Sequence, residues 1–127
     1  MRWFPKGLGR NSPPKGFRGI REEESRLLLR FVARDFPGNA ELHDQLRSVT
    51  VADIDADGSL RLSTRGAARA DVPRRIPVEA SYLDRDGVRV HLLLHVVDGH
   101  LDEFEVFRED SKPVINRPVD QTDLEFE

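Results

Sequence analysis

The spacing of hydrophobic residues predicts an α-helix near the start of the chain. An apolar stripe recurs at helical intervals, and its members are Leu27, Leu28, Phe31 and Val32. Three glutamates begin this segment, where the exposed N–H groups of a helix favour acidic side chains. Pro37 follows the stripe, and proline cannot continue the helical hydrogen-bond ladder. We therefore expect a helix over residues 21–35, and a second, short helix over residues 40–47 capped by Asn39.

After residue 48 the pattern becomes that of β-strands separated by turn sequences. The predicted strands cover residues 49–55, 59–64, 76–84, 88–97 and 100–108. Asp-Gly pairs, which strongly favour hairpins, occupy the turns at residues 56–58, 86–87 and 98–99. The sequence thus predicts an α+β fold in which one or two N-terminal helices pack on a five-stranded antiparallel β-meander.

Two-residue loops at the last two turns would determine which side chains share a face of the sheet. Counting from these turns places His95 opposite Asp102 and His91 opposite Tyr82. The other face would carry an aliphatic strip from the central strand, rimmed by glutamates. The residues of this face that we expect to bind a partner are Leu92, Leu94, Glu79, Glu103 and Glu105.

Composition narrows the class of protein. The chain has 127 residues, room for one domain, and combines 38% hydrophobic with 34% charged residues. It has no cysteine, which excludes disulfides, thiol catalysis and cysteine-ligated zinc. No apolar run approaches the roughly 20 residues of a membrane span, and no secretion signal follows Met1. We expect a cytoplasmic protein with no membrane partner.

Charge is distributed unevenly along the chain, although the net charge is only -3. Residues 1–20 contain only basic charged residues among many glycines and prolines, which predicts an irregular basic arm. Residues 21–118 are expected to form a single α+β domain, and residues 119–127 an acidic tail. Two interpretations of the arm stay open: it folds over the aliphatic strip of its own chain, or it leaves that strip free. The overall acidity argues against binding to nucleic acid.

A histidine paired with an acid offers a catalytic hypothesis, because such a histidine can act as a general base. The hydrolase or ligand-binding site of this hypothesis would use His95, Asp102, His91 and Tyr82. It lacks a serine nucleophile on the same face and an oxyanion donor, so an enzyme is the less favoured interpretation.

Metal sites have weaker support in the sequence. His91 and His95 would lie about 13 Å apart on one strand, too far to bind the same zinc ion. Residues 53–58 match the start of a calcium-binding loop, but Thr64 stands where the bidentate acid belongs. We expect no metal ion and no other cofactor.

Three segments carry a combination of motifs: a glutamate-rich helix start, an Asp-Gly turn before Ser-Leu, and a closing strand with alternating glutamates. They are REEESRLLLRFV (21–32), DADGSLRL (55–62) and the stretch 78–115, which contains Leu101, Glu103, Glu105, Phe107 and Arg108 with Pro113 after them. This combination resembles a family of small bacterial proteins known only as a domain of unknown function. The resemblance spans residues 20–118 and implies a compact bacterial, cytoplasmic α+β domain, without implying catalytic residues.

The features together predict a non-enzymatic protein-binding domain. Small acidic domains without cysteine resemble immunity proteins that neutralise a basic toxin, so a basic protein is the expected partner. In that role the carboxylates would steer the partner and the apolar centre would supply affinity. A homodimer formed through the same face and the hydrolase or ligand-binding domain are the alternatives.

Overall fold

The structure, a computed structural model, describes residues 13–64 and 66–127. These residues contain two α-helices, α1 (Glu22–Val32) and α2 (Asn39–Gln45). Their strands are β1 (Arg18–Gly19), β2 (Thr50–Asp53), β3 (Leu60–Ser63), β4 (Val78–Leu83), β5 (Arg89–Val97), β6 (His100–Arg108) and β7 (Glu125–Phe126). A 3-10 turn at Pro118–Asp120 precedes the last strand. The predicted α+β class is confirmed, with seven strands in place of five.

The strands form one antiparallel sheet in the order β1-β2-β3-β6-β5-β4-β7. The five predicted strands are its centre, but they do not form the meander that we expected. The connection from Ser63 to Val78 passes to the far side of the β5–β6 hairpin, so that β3 pairs with β6 and not with β4. A tight-turn sequence predicts that the two strands it joins pair with each other. A connection as long as residues 64–77 does not determine which strand β3 pairs with.

The helix α1 forms where the apolar stripe predicted it. At its start the Glu24 carboxylate accepts a hydrogen bond of 2.9 Å from the backbone N–H of Arg21. The helix ends at Val32, three residues earlier than expected, because Ala33 already forms its C-terminal cap. The short second helix is also confirmed, with Leu42 and Leu46 buried, but its N-cap is Gly38 and Asn39 is its first residue, so the predicted cap was wrong.

The hydrophobic core lies between the two helices and one face of the sheet. Phe31 of α1 packs edge-on against Phe104 of β6 and Phe126 of β7, with ring centroids 5.2 and 5.1 Å apart. Burying a side chain of this size contributes roughly 1.5–3 kcal/mol. No helix among the described residues is long and apolar enough to cross a bilayer.

The turn between β4 and β5 has three residues rather than the predicted two. Asp84 donates its N–H to the carbonyl of Val88 at 2.8 Å, and Gly87 at the end of the loop has a φ of 86°. A three-residue loop that ends in a left-handed glycine is a common hairpin alternative. The additional residue shifts every β4–β5 pair by one position. His91 therefore lies opposite Ser81, and the predicted pairing with Tyr82 was wrong.

The turn between β5 and β6 has the predicted two residues, but a β-bulge changes the pairing beyond it. Asp98 and Gly99 both have positive φ, 51° and 77°, as a type I′ turn requires. The register then shifts next to His95, because Asp102 of β6 is an additional residue between the Val96–Leu101 and His95–Glu103 pairs. Beyond the bulge His95 lies opposite Glu103, and the predicted pairing with Asp102 was wrong.

Both ends of the described chain join the sheet. β1 pairs with β2 at one edge, and β7 pairs with β4 at the other. Arg18 and Gly19 therefore belong to the sheet and not to an irregular arm, and residues 119–127 pack on the domain instead of forming a free tail. Strands of only two residues cannot be predicted from sequence, because alternation of apolar and polar residues is recognisable only over a longer segment. The predictions about residues 1–12 lie outside the described residues.

An ion cluster at one end of the sheet connects three segments of the chain. The guanidinium group of Arg108, which is buried at the end of β6, donates hydrogen bonds to Asp84, Asp86 and Asp110 at 3.0, 3.1 and 2.6 Å. The buried Asp84 carboxylate also accepts the backbone N–H groups of residues 115 and 116. This cluster holds the β4–β5 turn and the C-terminal segment against the end of β6.

Candidate functional site

The sheet face opposite α1 and α2 is covered by no helix of the described residues, and we call it the open face. Strand alternation places on it a set of side chains from β3, β4, β5 and β6. Its central members are Arg61, Glu79, Leu93, His95, Glu103, Glu105 and Phe107. Among the described residues, carboxylates outnumber guanidinium groups on this face, since Asp102, Glu109 and Glu125 add to its acids and Arg75 and Arg89 to its arginines.

A row of three side chains crosses the centre of the open face. Glu79 of β4 and Glu105 of β6 are the cross-strand neighbours of Leu93 on β5, one on each side. Directly opposite residues on one face lie about 4.5–5.5 Å apart at their Cβ atoms. The row therefore presents one apolar side chain between two carboxylates, and 38% of the Glu105 side chain is accessible to solvent.

His95 is the most constrained polar side chain of the open face. Its Nε2 atom lies 2.8 Å from a carboxylate oxygen of Glu105, and its Nδ1 atom accepts a hydrogen bond from Arg75 Nε at 3.3 Å. With Nδ1 as acceptor, the proton of a neutral imidazole lies on Nε2, which then donates to Glu105. His95 and Glu105 thus form a hydrogen-bonded pair, and the side chain of His95 is only 12% exposed.

The same corner brings three potential metal ligands together. One ligand atom from each of His95, Glu103 and Glu105 lies within 4.8 Å of the others, a combination that the sequence analysis did not identify. A metal-bound imidazole normally donates its second N–H to an acceptor. Here that nitrogen faces the donor Arg75, and Arg61 lies 3.9 Å from the Glu103 carboxylate. The surroundings therefore favour the hydrogen-bonded pair over a bound metal ion.

An aromatic group occupies the other end of the open face. The imidazole of His91 stacks on the ring of Phe107, with centroids 5.0 Å apart and planes inclined by 19°. Phe107 remains 38% exposed, and the Glu109 carboxylate lies 3.7 Å from His91 Nε2. Phe107, Leu93 and the 54% exposed Leu83 all contribute accessible apolar surface on this side of the sheet.

The predicted aliphatic strip lies inside the protein. Leu92 and Leu94 have no exposed surface and belong to the core beneath the helices, so the expectation that they contact a partner was wrong. The register of β5 differs from the predicted one by one residue, both at the β4–β5 turn and at the bulge. As a result Leu93, and not Leu92 or Leu94, shares a face with Glu79, Glu103 and Glu105. These three glutamates are on the open face, with Leu93 as their apolar neighbour.

The four residues of the hydrolase hypothesis do not form one site. Tyr82 is on the core side of the sheet, 3% exposed, and its hydroxyl donates to the carbonyl of Asn116 at 2.6 Å. Burial raises the pKa of the Tyr82 hydroxyl well above its usual range, so the group stays protonated. His91 and His95 are on the opposite side, and His95 bonds Glu105 in place of Asp102. The geometry provides no convergent general base and nucleophile there.

The aspartates of the β2–β3 turn serve local structure. Asp53 pairs with Arg18 at 2.8 Å, and Asp55 accepts the N–H groups of Asp57 and Ser59 at 3.0 and 3.1 Å. Within the described chain, these aspartates do not belong to a group of converging metal ligands. The partial resemblance to a calcium-binding loop therefore reflects a turn that aspartate and glycine favour.

Comparison with known proteins identifies the family of the chain. No curated protein and no solved structure matches it. A family model described as Domain of unknown function (DUF6984) matches residues 17–118. This range extends from just before β1 to the start of the 3-10 turn and includes β3 to β6, the strands that carry the centre of the open face. The chain belongs to the DUF6984 family of domains of unknown function.

Proposed function

We propose that this chain is a non-enzymatic protein-binding domain that docks a basic partner on the open face of its sheet. A basic toxin, neutralised in the manner of an immunity protein, is the partner class that we favour. The observation that carries the proposal is the row of Glu79, Leu93 and Glu105 on a face that no helix of residues 13–64 or 66–127 covers.

Charge and apolar surface have complementary roles in this proposal. Exposed carboxylates attract a basic protein over a distance and orient it, which mainly accelerates association. Glu79 forms no ion pair within the described part of the chain, and Glu105 bonds only the imidazole of His95. Leu93 and Phe107 would lose contact with water when the partner docks, and this burial supplies affinity.

Exposed apolar side chains on the open face favour the interpretation that it binds a partner over the interpretation that it stays in contact with water. A sheet face that remains in water usually carries a uniform polar set, whereas Phe107 and Leu83 are 38% and 54% exposed here. Both residues lie near the β4–β5 turn, at the end of the face away from the bulge. An exposed apolar area therefore lies next to the acidic area on the same face, and a partner that covers both can use apolar burial and charge together.

Site-specific photocrosslinking in the source cells tests the location of this surface. A photoreactive phenylalanine analogue replaces Phe107 on the open face in one variant and Glu41 on the exposed side of α2 in the control. We expect the Phe107 variant alone to crosslink a basic protein, identified by mass spectrometry. Identical crosslinks from both positions, or an acidic protein captured from Phe107, would contradict the proposal.

A matched pair of charge-reversal variants tests the chemistry. Glu79→Lys/Glu103→Lys leaves the bond between His95 and Glu105 intact, and Glu41→Lys/Asp123→Lys makes the same change in charge elsewhere. Affinity for the crosslinked partner should fall at least about tenfold in the first variant and little in the second. Equal thermal unfolding of both variants excludes misfolding as the cause. If light scattering shows that the chain itself dimerises through this face, the partner is a second copy and the proposal of a basic protein fails.

A further inference from the structure

A cleft on the helix side of the sheet has a different chemistry from the open face. It has a volume of ≈ 220 Å³ and lies between the start of α1, the β2–β3 turn and residues 114–119. The larger apolar side chains of its lining are Leu27, Leu28, Leu60, Phe104, Val114 and Val119. A concave apolar site with a few polar groups at its mouth is the usual form of a small-molecule site.

The carboxylates around this cleft fall into two groups. Glu24 and Asp53 are neutralised by Arg18, at 2.9 and 2.8 Å, and Glu23 is paired with Arg117 at 3.3 Å. Asp55 and Asp57, by contrast, form no ion pair within the part of the chain that the structure describes. The cleft therefore retains negative charge after its own arginines have been counted.

The two aspartates without an ion pair are held in place by the backbone. One carboxylate oxygen of Asp55 accepts the N–H groups of residues 57 and 59, and one oxygen of Asp57 accepts the N–H of Val114 at 3.0 Å. Their second oxygens make no hydrogen bond to any described residue. Each side chain is thus oriented by one oxygen and offers the other as an acceptor for a ligand.

We propose that the cleft binds a small aliphatic amine, with its alkyl chain against the apolar lining and its ammonium group at Asp55 and Asp57. A neutral apolar molecule would leave these carboxylates without a counter-charge, and an anion would be repelled by them. The volume of the cleft is below the roughly 300–1,000 Å³ of sites for drug-sized ligands, which suits a compact molecule. The apolar lining lies on the helix side of the sheet, although Asp55 and Asp57 also border a groove lined by Glu103, Glu105 and Phe107 of the open face. The ligand is a small amine and not the proposed protein partner, so the proposal does not depend on the proposed function.

Binding of three molecules of equal length tests the proposal. Hexylamine, 1-hexanol and hexanoate share an alkyl chain and differ in charge, and two-dimensional NMR of the full chain locates where each binds. We expect hexylamine to bind most tightly, hexanol at least about tenfold more weakly and hexanoate not measurably. The shifted amides should be those of Gly58, Val114 and Val119.

A pair of isosteric variants separates charge from shape. Asp55→Asn/Asp57→Asn keeps the acceptor oxygens that the turn needs, and Glu41→Gln/Asp123→Gln removes two exposed charges far from the cleft. Hexylamine should bind about tenfold more weakly to the first variant and normally to the second. Unchanged hexanol binding by the first variant shows that the cleft has kept its shape.

Four results with these ligands and variants would overturn the proposal, and a fourth ligand provides one more test. The four results are equal binding of hexylamine and hexanol, measurable binding of hexanoate, shifted amides outside the cleft, and equal hexylamine affinity in the two variants. An Nα-acetyl-lysine methylamide that binds as tightly as hexylamine would assign the cleft to a peptide and not to a small amine. None of these results bears on the open face, whose crosslinks are measured independently.

Discussion

Among single residues, Arg108 has the strongest ionic surroundings in the described chain. Its guanidinium group and the Asp84 carboxylate are both removed from water, with 2% and 0% of their side chains exposed. Burial by itself raises the pKa of Asp84. Hydrogen bonds from backbone N–H groups and from Arg108 have the opposite effect and outweigh burial, so the pKa of Asp84 is lowered. Hydrogen bonds from Arg108 also lower the pKa of Asp86 and Asp110. A buried cation is thus matched by three carboxylates that remain ionised.

These pKa shifts predict the acid sensitivity of the fold. A carboxyl group whose pKa is lowered by folding stabilises the protein above its unfolded pKa, and this stabilisation is lost as the pH falls through the folded pKa. The free energy of unfolding should therefore fall steeply below about pH 4, where the unfolded chain begins to bind protons at these groups. Chemical denaturation between pH 2 and 6 measures this dependence.

The variant Asp86→Asn/Asp110→Asn should flatten that dependence, because two of the groups with lowered pKa no longer bind protons on unfolding. The control is Asp123→Asn, an exposed position outside the cluster. If the double variant loses stability between pH 4 and pH 2 as steeply as the natural sequence, Arg108 does not control the acid response.

At the scale of secondary-structure elements, two turns decide which face of β5 points outward. Gly87 and Gly99 both have positive φ, of 86° and 77°, but their surroundings differ. A Cβ atom at Gly99 would lie 2.5 Å from the carbonyl oxygen of Ala70, whereas one at Gly87 would meet nothing within 4 Å. At Gly99 the β5–β6 turn is therefore packed against the long connection between β3 and β4, whereas the β4–β5 turn leaves open space beside Gly87.

This difference predicts unequal costs for the same substitution. Gly87→Ala should cost about 1 kcal/mol, because alanine is strained at positive φ. Gly99→Ala should cost at least about twice as much, because the connection must also move away from the new methyl group. Urea unfolding of both variants measures the difference. Equal losses would mean that the contact with Ala70 is not tight.

The registers of these strands also show what sequence reasoning could and could not predict. The helical stripe, the strand positions and the Asp98-Gly99 turn followed from local patterns, since periodicity and turn chemistry are local. Loop length at Gly87 was not determined by the Asp-Gly pair, and the bulge beside His95 has no residue signature. Each of these changes moves a strand by one position, which exchanges its two faces. The sequence pattern correctly predicted that Glu79, Glu103 and Glu105 share a face, but Leu92 and Leu94 were assigned to that face instead of Leu93.

At the scale of the whole molecule, the net charge of -3 conceals an acidic open face and an acidic cleft on opposite sides of the sheet. Long-range attraction of this kind depends on ionic strength, because salt screens exposed charges beyond about 8–10 Å. The proposed partner should therefore associate more slowly as salt increases, with a smaller effect on its dissociation.

Stopped-flow or surface-based kinetics with the crosslinked partner, from about 0.05 to 0.5 M salt, measure this effect. The neutral variant Glu79→Gln/Glu103→Gln should show a shallower dependence, and Glu41→Gln/Asp123→Gln an unchanged one. An association rate that is independent of salt would show that carboxylates do not guide the encounter.

The short strands at the two margins of the sheet limit how another protein can approach. β1 and β7 each pair over only two residues and come from opposite ends of the described chain. Such a margin exposes very few unsatisfied amide and carbonyl groups, so it is a poor template for an incoming strand. Lengthening of the sheet by a neighbouring molecule, the common first step toward fibrils, is therefore disfavoured in this architecture. A partner protein must instead bind on a face of the sheet, where contacts with side chains and not main-chain hydrogen bonds determine specificity.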